Sequence, residues 1–227
     1  MDYWEQNIAS MYRIAFVLCS ILMVGCGSHS TTSLPYFNTP DFEPIFISDP
    51  DQVSKTITHT ISDFSFTDQN NKHLTDVDIT GKVHVANFVF TSCGSICPIM
   101  TNHMKLVNEV FGNKPDVEML SFTVTPWIDD ASTLKAYADK NNISSSNWHF
   151  LTGKKSDIYT LARQSYFAEE DLGFTKDSTE FLHTEHFILV DQQKRIRGIY
   201  NGTLELDIRQ LIADIRTLQA EANDQTK

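Results

Sequence analysis

Residues 83–98 of the chain read VHVANFVFTSCGSICP, a largely apolar run that ends in two cysteines and a proline. The part from Val83 to Phe90 is rich in β-branched and aromatic residues, which is typical of a strand buried on both faces of a sheet. Pro98 suits the first turn of a helix, and the apolar residues that follow recur at helical spacing. The sequence therefore predicts a buried strand that passes through a cysteine-containing turn into a helix.

The rest of the chain continues this alternation of strands and helices. We predict further strands at 118–124, 148–151, 186–190 and 196–200, helices that begin at Asp130 and Ser156, and a last amphipathic helix around Leu211. The strands at 186–190 and 196–200 are close enough to form a hairpin, and the polar stretch at 166–182 is long enough to be an insertion before them. This pattern indicates an α/β fold in which helices flank a central mixed β-sheet.

Composition excludes several classes of protein. The 227 residues are 41% hydrophobic and include 15 Phe, which is enough for a core, so a disordered chain is excluded. The length fits one ordinary domain with additional segments. With 29 acidic and 18 basic side chains the net charge is -11, and such a chain has little capacity to neutralise the phosphates of a nucleic acid.

The N-terminal residues predict export and lipid attachment. Residues 14–24 read IAFVLCSILMV, an uncharged run with the length of a signal-peptide core, and residues 23–26 resemble the bacterial lipobox. We therefore expect a lipoprotein signal peptide at 1–25, lipidation of Cys26, a flexible tether at 26–42 and a folded domain at 43–222. The protein is then held by its lipid on a membrane of the bacterial cell envelope, facing the periplasm. A start at Met11 would give the signal peptide a basic beginning. The alternative to a signal peptide is that the apolar run is an uncleaved anchor or a buried segment.

After these steps Cys93 and Cys97 are the remaining thiols. A thiol at the start of a helix has a lowered pKa, because backbone N–H groups there favour an anion. A separation of four positions lets both sulfurs face the same way, so the pair can close a disulfide or hold one soft metal ion. A purely structural disulfide or two core thiols are the alternatives, but a disulfide that closes so small a loop stabilises a protein weakly.

Four motifs together resemble the Sco/SenC family. They are FVFTSCGSICP at 88–98, VTP at 124–126, LKAYA at 134–138, and HT at 183–184 followed by FILVD at 187–191. The resemblance runs from about Asp63 to the final helix and implies a membrane-tethered, thioredoxin-like protein of the respiratory copper pathway. Two positions depart from the family, because Gly94-Ser95-Ile96 contains no acidic residue and Thr125 stands where an aspartate is common.

The resemblance implies that Cys93 and Cys97 are copper thiolates and that His183 is the third ligand. The implied partner is the subunit of cytochrome c oxidase that holds the dinuclear copper centre, with other copper chaperones as further partners. From the residues alone, two thiolates suit Cu(I), and an imidazole completes a site that can also hold Cu(II). His183 and His186 are both candidates for this imidazole, and His183 is preferred because it lies in the loop before the strand that His186 begins.

Other residues of similar chemistry are expected to be structural. Met100 and Met104 have the spacing of a helix core, and Trp127, Trp148 and Phe167 are expected either in the core or beside the site. An acidic cluster at 169–171 is expected to be solvated or to steer a basic partner. The remaining histidines are expected on the surface or in the core, namely His29, His59, His73, His84, His103 and His149.

The leading hypothesis is a copper-binding assembly protein that delivers copper to the oxidase, a role that requires no enzymatic turnover. The first alternative is a thiol–disulfide reductase that keeps the copper-ligand cysteines of the oxidase reduced, with Cys93 and Cys97 as its redox pair. A redox or copper sensor is the third. An ordinary redox thioredoxin is disfavoured, because two residues usually separate its cysteines and no proline lies near residues 180–187 here.

Overall fold

The computed structural model describes residues 33–168 and 184–225, and within them the predicted alternation of strands and helices is present. The strands are β1 (Tyr36–Phe37), β2 (Pro44–Ile45), β3 (Ser65–Asp68), β4 (His73–Thr75), β5 (Val83–Val89), β6 (Val117–Thr123), β7 (Trp148–Thr152), β8 (His186–Val190) and β9 (Ile196–Asn201). The helices are α1 (Pro50–Thr56), α2 (Ile96–Phe111), α3 (Ala131–Lys140), α4 (Lys155–Thr160) and α5 (Glu205–Gln225). A π-helical turn over Leu161–Ser165 continues α4.

The strands of this part of the chain form one mixed sheet in the order β2-β1-β9-β8-β5-β6-β7-β3-β4. Strands β5, β6 and β7 are parallel to one another, whereas β8 runs antiparallel to β5. All seven residues of β5 are buried, as expected for a strand covered on both faces. The predicted α/β class, with a central mixed sheet flanked by helices, is confirmed.

The two faces of β5 pack against different helices. Val83 and Val85 share one core with apolar residues of α2, α3 and α5. Ala86 and Phe88 face the opposite core, which α4 and the residues that follow it complete. Because the central strand is packed from both sides, its C-terminal end is a rigid support for the turn that follows.

The methionine and aromatic side chains that were candidates for the core differ in burial. Met100 and Met104 are fully buried in the core beneath α2, and Trp148 and Phe167 are also buried, as expected. Trp127 is different, because 57% of its surface is exposed, and a core role for it is wrong. It lies in the loop between β6 and α3, where its ring stacks under the ammonium of Lys155 at 5.2 Å instead of entering either core.

The folded domain begins earlier than residue 43. Arg197 of β9 is 2% exposed and donates hydrogen bonds to the carbonyl oxygens of Leu34 (2.8 Å) and Pro35 (3.0 Å). Its guanidinium also lies 4.0 Å from the centre of the Tyr36 ring. Residues 34–36, which the sequence predicted to belong to a flexible tether, are therefore packed against the domain, and the part of that prediction at 26–32 lies outside the described residues.

Strand β1 joins the sheet far from the cysteine turn. Phe37 pairs with Ile196, and Ile196 pairs with Val190, which lies opposite His84 near the start of β5. The cysteines follow the other end of β5. At about 3.3 Å per residue, the six residues from His84 to Phe90 separate the two ends by about 20 Å.

No helix within the described ranges is both long enough and apolar enough to cross a membrane.

Candidate metal site

Cys93 lies in the turn that joins β5 to α2, and Cys97 is the second residue of that helix. The backbone N–H of Cys93 donates a hydrogen bond to the carbonyl oxygen of Phe90 (3.2 Å), which closes a tight turn directly after the strand. Helix α2 begins at Ile96, and its N-cap, Ser95, makes no side-chain capping bond to the helix. The backbone N–H groups of the first turn are therefore not satisfied by a side-chain cap and can act on the cysteine in front of them.

The thiols of Cys93 and Cys97 are close enough to influence each other but differ in burial. They are not joined by a disulfide in this structure, and each thiol shifts the pKa of the other. Cys93 is partly exposed, whereas Cys97, the second residue of α2, is only 3% exposed. One thiol is thus accessible from solvent, and the other is shielded behind it.

The accessible thiol is the more acidic one. Burial acts to raise the pKa of Cys93, but hydrogen bonds from the backbone N–H groups of residues 95–97 and from the Cys97 thiol outweigh it. The net result is a pKa below the ordinary value. A helix start stabilises a thiolate in this way, so Cys93 is the nucleophile and the readier metal ligand of the two.

Cys97 shows the opposite behaviour. Burial raises its pKa to about 12, a backbone hydrogen bond at Phe90 lowers it only in part, and the neighbouring Cys93 raises it further. Without a metal ion, Cys97 is therefore the proton-bearing partner. A cation placed between the sulfurs would remove this penalty, because the thiolate rather than the thiol binds metal.

A buried carboxylate lies beneath the turn, and sequence reasoning did not find it. Asp129 is fully buried and accepts hydrogen bonds from the hydroxyls of Thr91 (2.5 Å), Thr123 (2.5 Å) and Thr125 (2.8 Å). The only signal in the sequence is the excess of threonine after two predicted strands. Since the carboxyl ends of parallel neighbouring strands meet at one edge of a sheet, that excess could have indicated a polar cluster.

Tyr137 of α3 lies near the same site. Its hydroxyl is 2.8 Å from the hydroxyl of Thr101 in α2. Burial raises the pKa of Tyr137, the bond with Thr101 lowers it, and the charges of Cys97 and Cys93 raise it again. The phenol thus connects α2 to α3 below the cysteine pair.

Of the other predicted site residues, His183 and Cys26 lie outside the described residues. His186 is described, and its ring packs edge-on against Phe42, with the ring centres 5.9 Å apart. Within residues 33–168 and 184–225, no group of three or more His, Cys, Asp and Glu side chains is arranged to hold a metal ion. The described residues thus contribute the two sulfurs of the predicted site.

The remaining described histidines are explained by contacts elsewhere. His73 is exposed in β4 at the far edge of the sheet. Four others have polar neighbours: His59 with Ser165 O (2.7 Å), His84 with Tyr166 Oη (3.0 Å), His103 with Gly202 O (2.8 Å), and His149 with Asp68 (3.5 Å) and Glu118 (3.3 Å).

The cysteine pair fits a soft metal ion. Two sulfur donors at the junction of a buried strand and a helix match the preference of Cu(I) for thiolates. The pair can also be oxidised to a disulfide, because side chains four positions apart at a helix start can lie on the same side. The same pair can therefore hold metal or exchange electrons.

A mixed sheet with a cysteine pair at a strand-to-helix turn defines a thioredoxin-like thiol protein. The chain belongs to the SCO1/SenC family, since the model of that family matches residues 52–220. A SCO1/SenC family lipoprotein from Bacillus anthracis str. Ames is 30% identical, with a TM-score of 0.62 over 72% of this chain and 96% of that one.

Two further solved structures are similar. BsSco, in which a disulfide switch was identified, is a member of the Sco family of cytochrome c oxidase assembly proteins; it is 30% identical, with a TM-score of 0.61 over 77% of this chain and 98% of its own. Bradyrhizobium japonicum ScoI, solved with copper bound, is 25% identical, with a TM-score of 0.55 over 70% of this chain and 99% of its own.

Proposed function

We propose that this protein binds copper through Cys93 and Cys97 and delivers it to the dinuclear copper centre of cytochrome c oxidase during assembly. The observation that carries the proposal is the pair of neighbouring thiols at the start of α2, one partly exposed with a lowered pKa and one buried. Membership of the SCO1/SenC family and likeness to the copper-bound ScoI support it.

His183 is proposed as the third ligand. It precedes β8, which is hydrogen-bonded to β5, and the start of β8 lies at the same end of the sheet as the cysteine turn. The imidazole of His186 is the competing donor, but it packs against Phe42. A third donor of intermediate softness lets one site accept both Cu(I) and Cu(II).

Lipidation of Cys26 is proposed as the means of membrane attachment, with the domain on the periplasmic side of a bacterial envelope membrane. The lipobox-like sequence at 23–26 and the likeness to a family lipoprotein support this. Because the domain already begins by residue 34, only a short segment separates it from the lipid. Attachment is tested by metabolic labelling with a palmitate analogue, which Cys26→Ser should abolish.

Copper transfer then proceeds by ligand exchange. A partner's sulfur or nitrogen ligand approaches from the side of the exposed Cys93, binds the copper ion, and displaces one sulfur before the other. The buried Cys97 retains the ion until the partner has made its first bond. No electron transfer is needed if copper enters and leaves in the same oxidation state.

The decisive experiment is an anaerobic titration of the reduced protein with Cu(I) against a competing chelator. We expect one tight equivalent that is lost in Cys93→Ser and in Cys97→Ser and weakened in His183→Ala. His73→Ala is the matched control, because it removes an exposed imidazole at the far edge of the sheet and should leave binding unchanged. Binding no tighter than that of the double-serine variant would refute the proposal.

The unequal thiols also favour a second candidate, a thiol–disulfide reductase. The Cys93 thiolate would attack a substrate disulfide, form a mixed disulfide and release one substrate thiolate. Cys97 would then lose its proton and attack the Cys93 sulfur, which forms the Cys93–Cys97 disulfide and releases the second substrate thiol. The substrate gains two electrons and the protein loses two.

His183 separates the two candidates. A dithiol reductase needs both cysteines but no imidazole ligand, whereas a three-coordinate copper site needs all three residues. We therefore expect His183→Ala to weaken copper binding. The reduced variant should still reduce the disulfide of a peptide substrate at the same rate as the unaltered protein. If reduction is fast and copper binding is indifferent to His183, the reductase is the better description.

A further inference from the structure

The carboxylate of Asp129 is completely buried, and no lysine, arginine or histidine of the described residues forms an ion pair with it. A buried carboxylate in such surroundings requires hydrogen-bond donors, since its lost hydration is costly. Three threonines provide them. The carboxylate of Asp129 is therefore stable in the core only while these threonines keep their hydrogen bonds to it.

The donors come from two segments of the chain that follow neighbouring strands. Thr91 in the cysteine turn gives two of them, its hydroxyl to Oδ1 (2.5 Å) and its backbone N–H to Oδ2 (3.2 Å). The hydroxyls of Thr123 (2.5 Å) and Thr125 (2.8 Å) bind Oδ2 from the end of β6 and the loop after it. The carboxylate therefore fastens the cysteine turn to the β6–α3 loop.

Asp129 is itself held in place. Its backbone N–H donates to the carbonyl oxygen of Thr125 (2.9 Å), so the β6–α3 loop folds back on itself. Thr125 in turn donates its N–H to the hydroxyl of Thr123 (3.0 Å). The rigid side of the cluster is thus the β6–α3 loop, and the part that it restrains is the turn that carries Cys93.

We propose that Asp129 is a positioning residue that, through Thr91, sets the placement of Cys93. It thereby affects the equilibria of disulfide closure and of metal binding at the cysteine pair. Thr91 lies inside the Phe90–Cys93 turn, two positions before the exposed thiol. Helix α2, which bears Cys97, is fixed separately by its packing on the sheet. The relative position of the two sulfurs therefore depends on the attachment of this turn.

Hydrogen bonds explain why a small displacement matters. The Cys93 sulfur accepts from backbone N–H groups of residues 95–97 and from the Cys97 thiol. These bonds depend steeply on distance and angle. Once Thr91 is released, the turn can shift, and both closure of the disulfide and binding of a metal ion between the sulfurs become less well preorganised.

A matched pair of variants tests this. Thr91→Val and Thr125→Val each remove one hydroxyl donor to Asp129, but only Thr91 belongs to the cysteine turn. The readout is the equilibrium constant of the Cys93–Cys97 disulfide in glutathione buffers. We expect Thr91→Val to disfavour the disulfide by a factor of about ten in this equilibrium constant. That factor corresponds to the free energy of one hydrogen bond to a charged group. That change is about 30 mV for a two-electron couple. Thr125→Val should stay within about twofold of the unaltered protein.

Stability and rescue provide the controls. Both variants should lower the midpoint of urea unfolding by a similar amount, and Thr91→Ser, which keeps the hydroxyl, should restore the unaltered redox equilibrium. Equal changes in Thr91→Val and Thr125→Val would overturn the proposal, because general loosening of the cluster would then explain them. If neither variant changed the redox equilibrium, the role of Asp129 would be only structural.

This inference rests on the proposed function only in taking the cysteine pair as the reactive site. Its readout contains no copper, so the two can fail separately. If the unaltered protein binds no Cu(I) while Thr91→Val still moves the disulfide equilibrium, the copper function fails and the positioning role of Asp129 stands. If the unaltered protein binds Cu(I) tightly while Thr91→Val leaves the equilibrium unmoved, the copper function stands and the positioning role fails.

Discussion

At the residue scale, Cys93 and Cys97 should react at very different rates although they lie four positions apart. Burial raises the pKa of Cys97 to about 12, whereas backbone N–H groups outweigh burial at Cys93 and lower its pKa. At pH 7 we expect iodoacetamide to alkylate Cys97→Ser, which retains Cys93, at least about tenfold faster than Cys93→Ser. Mass spectrometry of timed samples gives both rates, and equal rates would contradict the assignment.

His84 predicts a pH dependence of stability. Burial lowers its pKa to about 3 in the folded protein, against about 6.5 in an unfolded chain. As the pH falls below about 6.5, the unfolded state takes up a proton that the folded state does not, so the free energy of unfolding decreases. One such group contributes a slope of about 1.4 kcal/mol per pH unit between the two pKa values.

The corresponding variant is His84→Gln, which retains a polar partner for the hydroxyl of Tyr166. Urea unfolding at pH 7.5, 6.5 and 5.5 should show a smaller loss of stability on acidification than in the unaltered protein. His73→Gln is the control, because that imidazole is exposed and its removal should leave the pH dependence intact. An unchanged slope in His84→Gln would mean that another group takes up the proton.

The residues of the candidate site were only partly predictable from sequence. Cys93 and Cys97 could be found because thiols are rare in this chain and a helix start has known chemistry. Asp129 could not, because its importance comes from three threonines that only the pairing of β5 with β6 brings together. A core position for Trp127 was wrong, since aromatic character alone does not distinguish a core position from an exposed loop.

At the scale of elements, Asn147 joins the end of α2 to the start of β6 and β7. Its amide group donates to the carbonyl oxygens of Phe111 (2.9 Å) and Val117 (2.8 Å) and accepts from the backbone N–H of Asn113 (2.7 Å). Asn147→Ala leaves these buried groups without partners and should lower the free energy of unfolding by about 3 kcal/mol. Asn102→Ala, at an exposed position of α2, should change it by less than about 0.5 kcal/mol.

Long elements were predictable, and very short ones were not. The expected strand at 83–90 is found at Val83–Val89, because a continuous run of β-branched and aromatic residues has few alternatives. Strands β1 and β2 contain two residues each, too few for any periodicity. Strand β1 pairs with β9, and Arg197, more than 150 positions away in the chain, contacts the ring of Tyr36 and the carbonyl oxygen of Pro35 just before it.

At the scale of the whole molecule, this contact predicts where the stable domain begins. A protein that starts at residue 43 loses the carbonyl oxygens of Leu34 and Pro35 and the ring of Tyr36, all of which contact the buried Arg197. Compared with a protein that starts at residue 33, we expect a loss of about 3 kcal/mol in unfolding free energy. Equal urea midpoints for the two proteins would show that residues 33–42 contribute little.

Copper should stabilise the whole domain if the cysteine pair binds it only in the folded state. A ligand at 1,000 times its dissociation constant adds about 4 kcal/mol to the free energy of unfolding. We therefore expect one equivalent of Cu(I) to raise the melting temperature by several degrees in an anaerobic scan. The variant with both cysteines replaced by serine should melt at the same temperature with and without Cu(I).

The entry of the chain at β1 also has a mechanical consequence. Tension applied through residue 33 enters the sheet where Phe37 pairs with Ile196, and the Arg197 contacts bear it first. The turn with Cys93 lies at the other end of β5, about 20 Å further on by strand geometry. If the protein is held by its N-terminal side, drag on the domain is thus expected to load the β1 end of the sheet before the turn that carries Cys93.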